Sequence, residues 1–228
     1  MTGNKSVSDQ ENADSERQRS WLKVLNSFAV ELIKISDEVD LAWYVAREVV
    51  GKLGFVDCVV YFFDPKQNAL RQIAAIGAKN PRGNEIANPL EIAIGEGVTG
   101  RVAETRQAII IDDLREADDY IPDLENLLSE ICVPLISADQ TLGVIDCEDP
   151  RLGHFGQQHL EVLSSVAALT SAKLELMQKN HALRKSERRN RLILDSALEG
   201  IITINEKGNV TECNSAAERM FGFSKDEL

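Results

Sequence analysis

A chain of 228 residues, 43% of them apolar, has enough material for one buried core and a piece of a second. Its 37 acidic against 25 basic side chains leave a net charge of −12, which opposes a polyanionic partner and removes nucleic acid from the expected ligands. The longest apolar run, Val56 to Phe63 broken by Asp57, falls far short of a membrane span, and the opening MTGNKSVSDQENADSERQRS is too polar for a signal peptide, so no membrane partner and a cytoplasmic location are expected.

Residues 1 to 17 offer almost nothing to bury and read as a disordered N-terminus. From Trp21 the apolar positions Trp21, Leu25, Phe28, Leu32 and Ile35 alternate at four and three residues. We read this narrow seam as a surface for a second copy of the chain, its alternative being a helix laid on its own domain. Asp37 or Asp40 caps a second helix with Ala42, Val45, Val49 and Leu53 on one face and Gly54 at its end. Cys58 to Phe63 and Leu70 to Ile76 read as a hairpin around Asp64-Pro65-Lys66-Gln67-Asn68, and Gly77 to Pro89 as a loop over the ligand side.

Gly95-Glu96-Gly97-Val98-Thr99-Gly100 has the G-x-G-x-x-G form of a dinucleotide fingerprint. The helix that follows, Val98 to Thr105, gives only about two turns, too short for a parallel crossover, and Asp112 comes 17 residues after Gly95. The glycines are therefore read as serving a sharp turn into a short helix. Asp112 to Glu130 then carries eight acids and one base, Arg115, yet Leu114, Tyr120, Ile121, Leu124, Leu127 and Leu128 give it an apolar helical side that suits a lid. Tyr120 either stacks on a cationic ligand or simply packs.

The stretch SEICVPLISADQTLGVIDCEDP, Ser129 to Pro150, reads as a hairpin with strands Ile131 to Ile136 and Leu142 to Cys147. Pairing Ser137 with Thr141 sets Glu130 opposite Glu148 and Cys132 opposite Asp146, bringing three carboxylates together; a slip of one residue separates them. Opposed like charges destabilise a ladder unless a cation compensates them, so the grouping points to a small cationic or amino-bearing ligand. The alternative is a solvated strand end before Pro150. Cys58, Cys132, Cys147 and Cys213 form no C-x-x-C pair and no histidine stands at ligand spacing, so neither a metal site nor a disulfide is expected.

The order GEGVTGRVAETR, AIIIDD, SEICVPLI, LGVIDCEDP, HFGQQHLEVLSSVA resembles a GAF domain, the small-molecule sensing module of bacterial signalling proteins, over about Asp37 to Met177. The resemblance implies an α+β fold, a central antiparallel sheet with helices on both sides. The acidic hairpin is similar to that of GAF-fold free methionine sulfoxide reductases, whose matching carboxylates hold the substrate, which implies Glu130, Asp146 and Glu148 as ligand-binding residues, with Cys132 and Tyr120 beside them. Those enzymes also need cysteines in the glycine loop and before the hairpin, where this chain has Val98-Thr99-Gly100 and Asp119-Tyr120-Ile121-Pro122-Asp123. No catalytic residue is therefore assigned. The signatures of cyclic-nucleotide-binding and bilin-binding relatives are absent as well, and no cofactor is expected.

From Gln157 the pattern becomes one long helix. Leu160, Leu163, Ala167, Thr170, Leu174 and Met177 form one line, and Leu169, Leu176 and Leu183 another at seven-residue spacing continued by Asn190. We read Leu160 to Leu198 as a parallel coiled coil of two chains with a register that shifts partway. The final stretch resembles the opening of a PAS domain: a hairpin, Ile201 to Ile204 and Val210 to Cys213, then a capping box Ser215-Ala216-Ala217-Glu218. Two strands and two helices do not close such a core, so the chain is expected to be a fragment. The expected domains are 18–177, a linker helix 178–198 and an incomplete PAS domain 199–228.

These readings make the chain the sensory input of a signalling protein, the GAF pocket acting through the helix on an output domain. A histidine kinase is the expected output and a cyclic-di-GMP enzyme its alternative. A thiol enzyme of the reductase type and a purely structural dimerisation module are the other readings.

Overall fold

The computed structural model describes residues 21–77, 86, 88–117, 126–138 and 140–222. The chain divides into two compact units, Met1–Met177 and Gln178–Leu228. In the first, helix α1 (residues 21–34) and helix α2 (Glu38–Leu53) precede strands β1 (Cys58–Asp64), β2 (Ala69–Ile76) and β3 (Glu91–Ala93). A short helix α3 (Gly97–Thr105), strand β4 (Ile109–Ile111) and a 3-10 turn (Leu114–Glu116) follow, then β5 (Ser129–Ser137), β6 (Gln140–Asp149) and the long helix α4 (Gln157–Ser196).

The six strands form one antiparallel sheet in the order β3-β2-β1-β6-β5-β4. Alternation along the strands divides the interior into two layers. Cys58, Val60, Phe62, Ile131, Val133, Leu135, Ile145 and Cys147 face α1, α2 and α4, whereas Val59, Tyr61, Cys132 and Val144 face α3. The sheet thus has helices on both sides, as the family resemblance implies.

Local chemistry explains the elements. Asp37 caps α2, its Oδ1 accepting the Val39 and Asp40 N–H groups at 2.8 and 3.2 Å, and Gly54 ends the helix with φ of 78°. Gly143 sits where β6 crosses closest to β1: a Cβ there would lie 2.1 Å from the Tyr61 carbonyl oxygen. The G-x-G-x-x-G stretch is a turn into α3, with Gly95 and Gly97 at φ of 86° and 63° and a Cβ on Gly100 meeting the Ala93 carbonyl at 2.4 Å. This agrees with the reading as helix-start glycines.

The hairpin turn differs from expectation, and the apolar lines on α1 and α4 are in part taken up within the first unit. The seam Trp21, Leu25, Phe28, Leu32, Ile35 is occupied within the domain, Phe28 and Leu32 being buried in its core and Phe28 stacking on Tyr44 at 5.3 Å. The same holds for the first line on α4, where Leu163, Ala167, Thr170 and Leu174 are buried against the sheet. The hairpin turn pairs Ser137 with Gln140, not Thr141; a bulge between Leu135 and Ile136 absorbs the difference, and beyond it the expected register holds. The helical lid and the Gly77–Pro89 loop fall largely outside the described residues.

In the second unit every residue of α4 from 178 to 196 is exposed. Strands β7 (Ile202–Ile204) and β8 (Val210–Cys213) pair, and helix α5 (Ser215–Phe221) follows. The cap of α5 is Asn214 rather than Ser215: its Oδ1 accepts the Ala217 N–H at 2.9 Å. No described helix is long and apolar enough to cross a membrane.

Candidate functional site

Above the bulge, β5 and β6 pair Glu130 with Glu148 and Cys132 with Asp146. All four side chains lie on the face beneath α3, and all four are buried: Glu130 at 2%, Glu148 at 2% and Asp146 at 3% relative exposure, Cys132 at 0%. The solvated strand-end alternative is thereby excluded for these acids. One ligating atom each from Glu130, Cys132 and Asp146 lies within 4.8 Å of the others, so these are the described residues able to close around a cation. One oxygen on each of Glu130, Asp146 and Glu148 is buried with no hydrogen bond, although each residue makes other interactions.

A further acid, Asp57, stands immediately before β1, two residues ahead of the Val59 that pairs with Asp146 of β6. Asp57 is fully buried, and a Cβ on Gly77 would stand 3.0 Å from its Oδ2. Glu130 and Glu148 thus form one opposed pair on this face, with Cys132 and Asp146 forming the next, and Asp57 adds a fourth buried acid at the entry to β1. The sequence carried a signal for Asp57: it is the one charge within an apolar run, and charges are seldom buried without a role.

Beside these pairs, at the edge strand β4, Ile111 stands opposite Glu130. There Arg101, Ile110, Ile111, Asp112, Asp113 and Glu116 line a recess of about 570 Å³. Asp113 is held below the usual carboxylate range chiefly by its hydrogen bond from Arg115. Tyr120 lies outside the described residues.

The thiols are distributed as the register requires. Cys132 faces the acids and Cys147 the opposite layer. Burial, and then a hydrogen bond with Cys58, pushes the Cys147 thiol well above its ordinary range, which makes it a poor nucleophile. None of the four cysteines forms a disulfide.

The stem joining β6 to α4 is held by a compact polar set. Asp149 accepts from the Arg151 Nε and Nη2 at 2.7 Å each, and Arg151 Nη2 meets His154 Nε2 at 3.0 Å. His154, Phe155 and His159 pack ring to ring with Phe55 and Trp21. These histidines serve as packing and stem residues.

A curled antiparallel sheet covered by helices on both faces, with a buried polar patch on one, is the build of a sensory domain. Residues 36–175 match the GAF domain and residues 188–228 the PAS fold, and the chain belongs to the GAF domain family. It is 30% identical to the nitrogen fixation protein AnfA of Azotobacter vinelandii over 128 residues, 51% of this chain and 24% of that protein. It is 32% identical to a Nif-specific regulatory protein of Azospirillum lipoferum over 123 residues, 49% of this chain and 19% of that protein. The aligned stretch thus spans about a quarter or less of the length of these relatives. Among solved structures it resembles the GAF domain of a phosphoenolpyruvate-protein phosphotransferase from Coxiella burnetii, with TM-score 0.64 and 18% identity over 72% of this chain and 98% of that one. It also resembles the free methionine-R-sulfoxide reductase of Neisseria meningitidis in complex with its substrate, with TM-score 0.63 and 21% identity over 70% and 91%. At these identities the likeness concerns the fold.

Proposed function

We propose that this chain is the sensory input region of a signalling protein, in which the GAF unit binds a small cationic or amino-bearing molecule against Glu130, Asp146 and Glu148, with Cys132 at the floor and Tyr120 as a further candidate contact. One observation carries the reading: three carboxylates, Glu130, Asp146 and Glu148, are buried together on the face beneath α3. Burial of like charges is expensive, and a positively charged ligand offsets that expense. Titration of the protein with amines and amino acids tests it, and binding is expected to fall at least tenfold in Asp146→Asn.

Signalling runs through α4, and the partner is a second copy of the chain in parallel. Leu176 and Leu183, 54% and 58% exposed, with half-buried Leu169 before them, are the seam left over once the other line has packed on the domain. On α1, Leu22, Val30 and Ile33 are exposed and extend the apolar surface available to that copy.

For the output, a histidine kinase remains our reading for a GAF domain followed by a PAS fold, with a cyclic-di-GMP enzyme as its alternative. The similarity to a protein named as a Nif-specific regulatory protein favours a second reading, a regulatory protein without kinase chemistry. The coding sequence beyond Leu228 decides: a phosphoacceptor histidine and nucleotide-binding signature support the kinase, and their absence supports the regulator. A methionine sulfoxide reductase would need a reactive thiol, whereas Cys132 stands among carboxylates that disfavour a thiolate. Turnover of free methionine sulfoxide by the purified protein would restore that alternative.

A further inference from the structure

The bulge at the closed end of the β5–β6 hairpin is held from both sides of the sheet. On one side Thr141 Oγ1 donates to the Ala103 carbonyl at 2.6 Å. Ala103 lies in the last turn of α3, where helix carbonyls lack intrahelical partners, so Thr141 supplies a donor that the helix end needs. On the other side the Ile136 N–H donates to Ser171 Oγ at 2.9 Å, while that hydroxyl donates to the Ala167 carbonyl of its own helix at 2.7 Å. Ser171 is 4% exposed and sits in the last packed turns of α4 before the helix leaves the first unit at Met177.

α3 also covers the carboxylate face. Its Val98, Val102 and Ala103 share one apolar cluster with Cys132 and Val144, the neighbours of Glu130 and Asp146 on the same strands. One short helix therefore touches the candidate site at one place and the hairpin bulge at another, and the bulge is bonded to α4. A bulge interrupts regular pairing and bends its strand, so it yields more readily than the ladder around it. Close-packed apolar layers have no comparable freedom.

We propose that this bulge, where the pairing steps from Leu135–Gly143 to Ile136–Thr141, is the joint that couples α3 to α4: a displacement of α3 moves Thr141, shifts the strand at Ile136 and is delivered to the connector helix through Ser171. Its purpose rests on the sensory reading above, but its test does not. No ligand is needed, so failure of the ligand screen and failure of the joint are separate results.

The test is a double-mutant cycle on the full chain, Thr141→Val and Ser171→Ala, read by residue-resolved amide hydrogen exchange. Thr141→Val is expected to speed exchange about tenfold at Ile136 and at residues 172–177 of α4. Ser171→Ala is expected to speed it several-fold at Arg106, whose N–H bonds the Val102 carbonyl at the end of α3. The double variant should fall short of the product of the two effects. Thr141→Ser and Ser171→Thr, which keep the hydroxyls, should restore the native pattern; if Ser171→Ala does not fold, Ser171→Cys gives a graded version. Val45→Ala, a core truncation on α2 remote from the bulge, should speed globally exchanging amides by a common factor and spare this pattern. Effects confined to the substituted side, a double variant equal to the product, or the same pattern in Val45→Ala would overturn the proposal.

Discussion

Glu130 lies directly across the ladder from Glu148, and both are buried. Two carboxylates in that relation repel each other in the ligand-free fold, so removing one charge should relieve the sheet. Glu130→Gln is expected to raise stability by about 1 kcal/mol while weakening ligand binding. Chemical denaturation of the free protein together with titration of the variant checks both halves. Loss of stability in the glutamine variant would mean that the acid serves structure first.

Asp149, Arg151 and His154 make the stem to α4 sensitive to acid. Burial, with the Arg151 charge acting the same way and Asp149 opposing, holds the His154 ring below its ordinary value of 6.5. The folded state then binds fewer protons than the unfolded chain, and stability falls as the pH drops below about 6.5. Asp149 behaves differently: burial raises its pKa, but the Arg151 hydrogen bonds and His154 outweigh that and hold it below the usual 3.8. Its contribution is complete above that value and is lost only as the pH falls through it. Urea melts carried from pH 8 to well below pH 3.8 should show both phases, and His154→Gln should flatten the first and, by removing one of the charges that hold Asp149 down, diminish the second.

Gly143→Ala should be among the most damaging conservative changes in the first unit. The added methyl group meets the Tyr61 carbonyl at 2.1 Å and Phe62 Cα at 3.2 Å, both backbone, so β1 and β6 must separate. A loss of about 3 kcal/mol or failure to fold is expected. Alanine at Gly51, an exposed helix position with nothing within 4 Å of its Cβ, is the matched control and should be neutral or stabilising.

The connector supplies another prediction. Residues 178–196 have no buried side chain of their own, and a helix of that length is marginal in water alone. Light scattering of the purified chain should give twice the chain mass, and Leu176→Asp with Leu183→Asp should return it to a monomer while leaving the melting of the first unit intact.

The acidic hairpin was legible because alternation and a turn set its register, and a shift of one residue would have split the acids. The turn itself was misjudged by one residue. A bulge is invisible to a period-two pattern, yet here it restored the register where the acids stand. The burial of Asp57 was missed because an acid just ahead of a strand reads by local pattern as a solvated loop residue, whereas the packing around β1 encloses it. For the helices, periodicity identified an apolar stripe on α1 and on α4 but not what covers it. Phe28 and Leu32 could serve a partner or the chain's own sheet equally well by spacing, and the sheet took them. Asn214 displaced Ser215 as the cap of α5 for a related reason: one residue of uncertainty at a helix start is ordinary, and Asn214 also bonds Ile201, Leu194 and Glu199, partners that sequence proximity does not show.

The central claim is that the buried carboxylates hold a positively charged small molecule. The most direct measurement is the melting temperature of the chain against a panel of amino acids, simple amines and the corresponding acids lacking the amine, beside Glu130→Gln, Asp146→Asn and Glu148→Gln. At a hundred times its dissociation constant a ligand stabilises by about 2.7 kcal/mol, a shift of several degrees. The account predicts such a shift for at least one amine in the native protein, none for its amine-free analogue, and loss of the shift in the three variants. An equal shift in the variants, or no shift from any cationic compound, would contradict it.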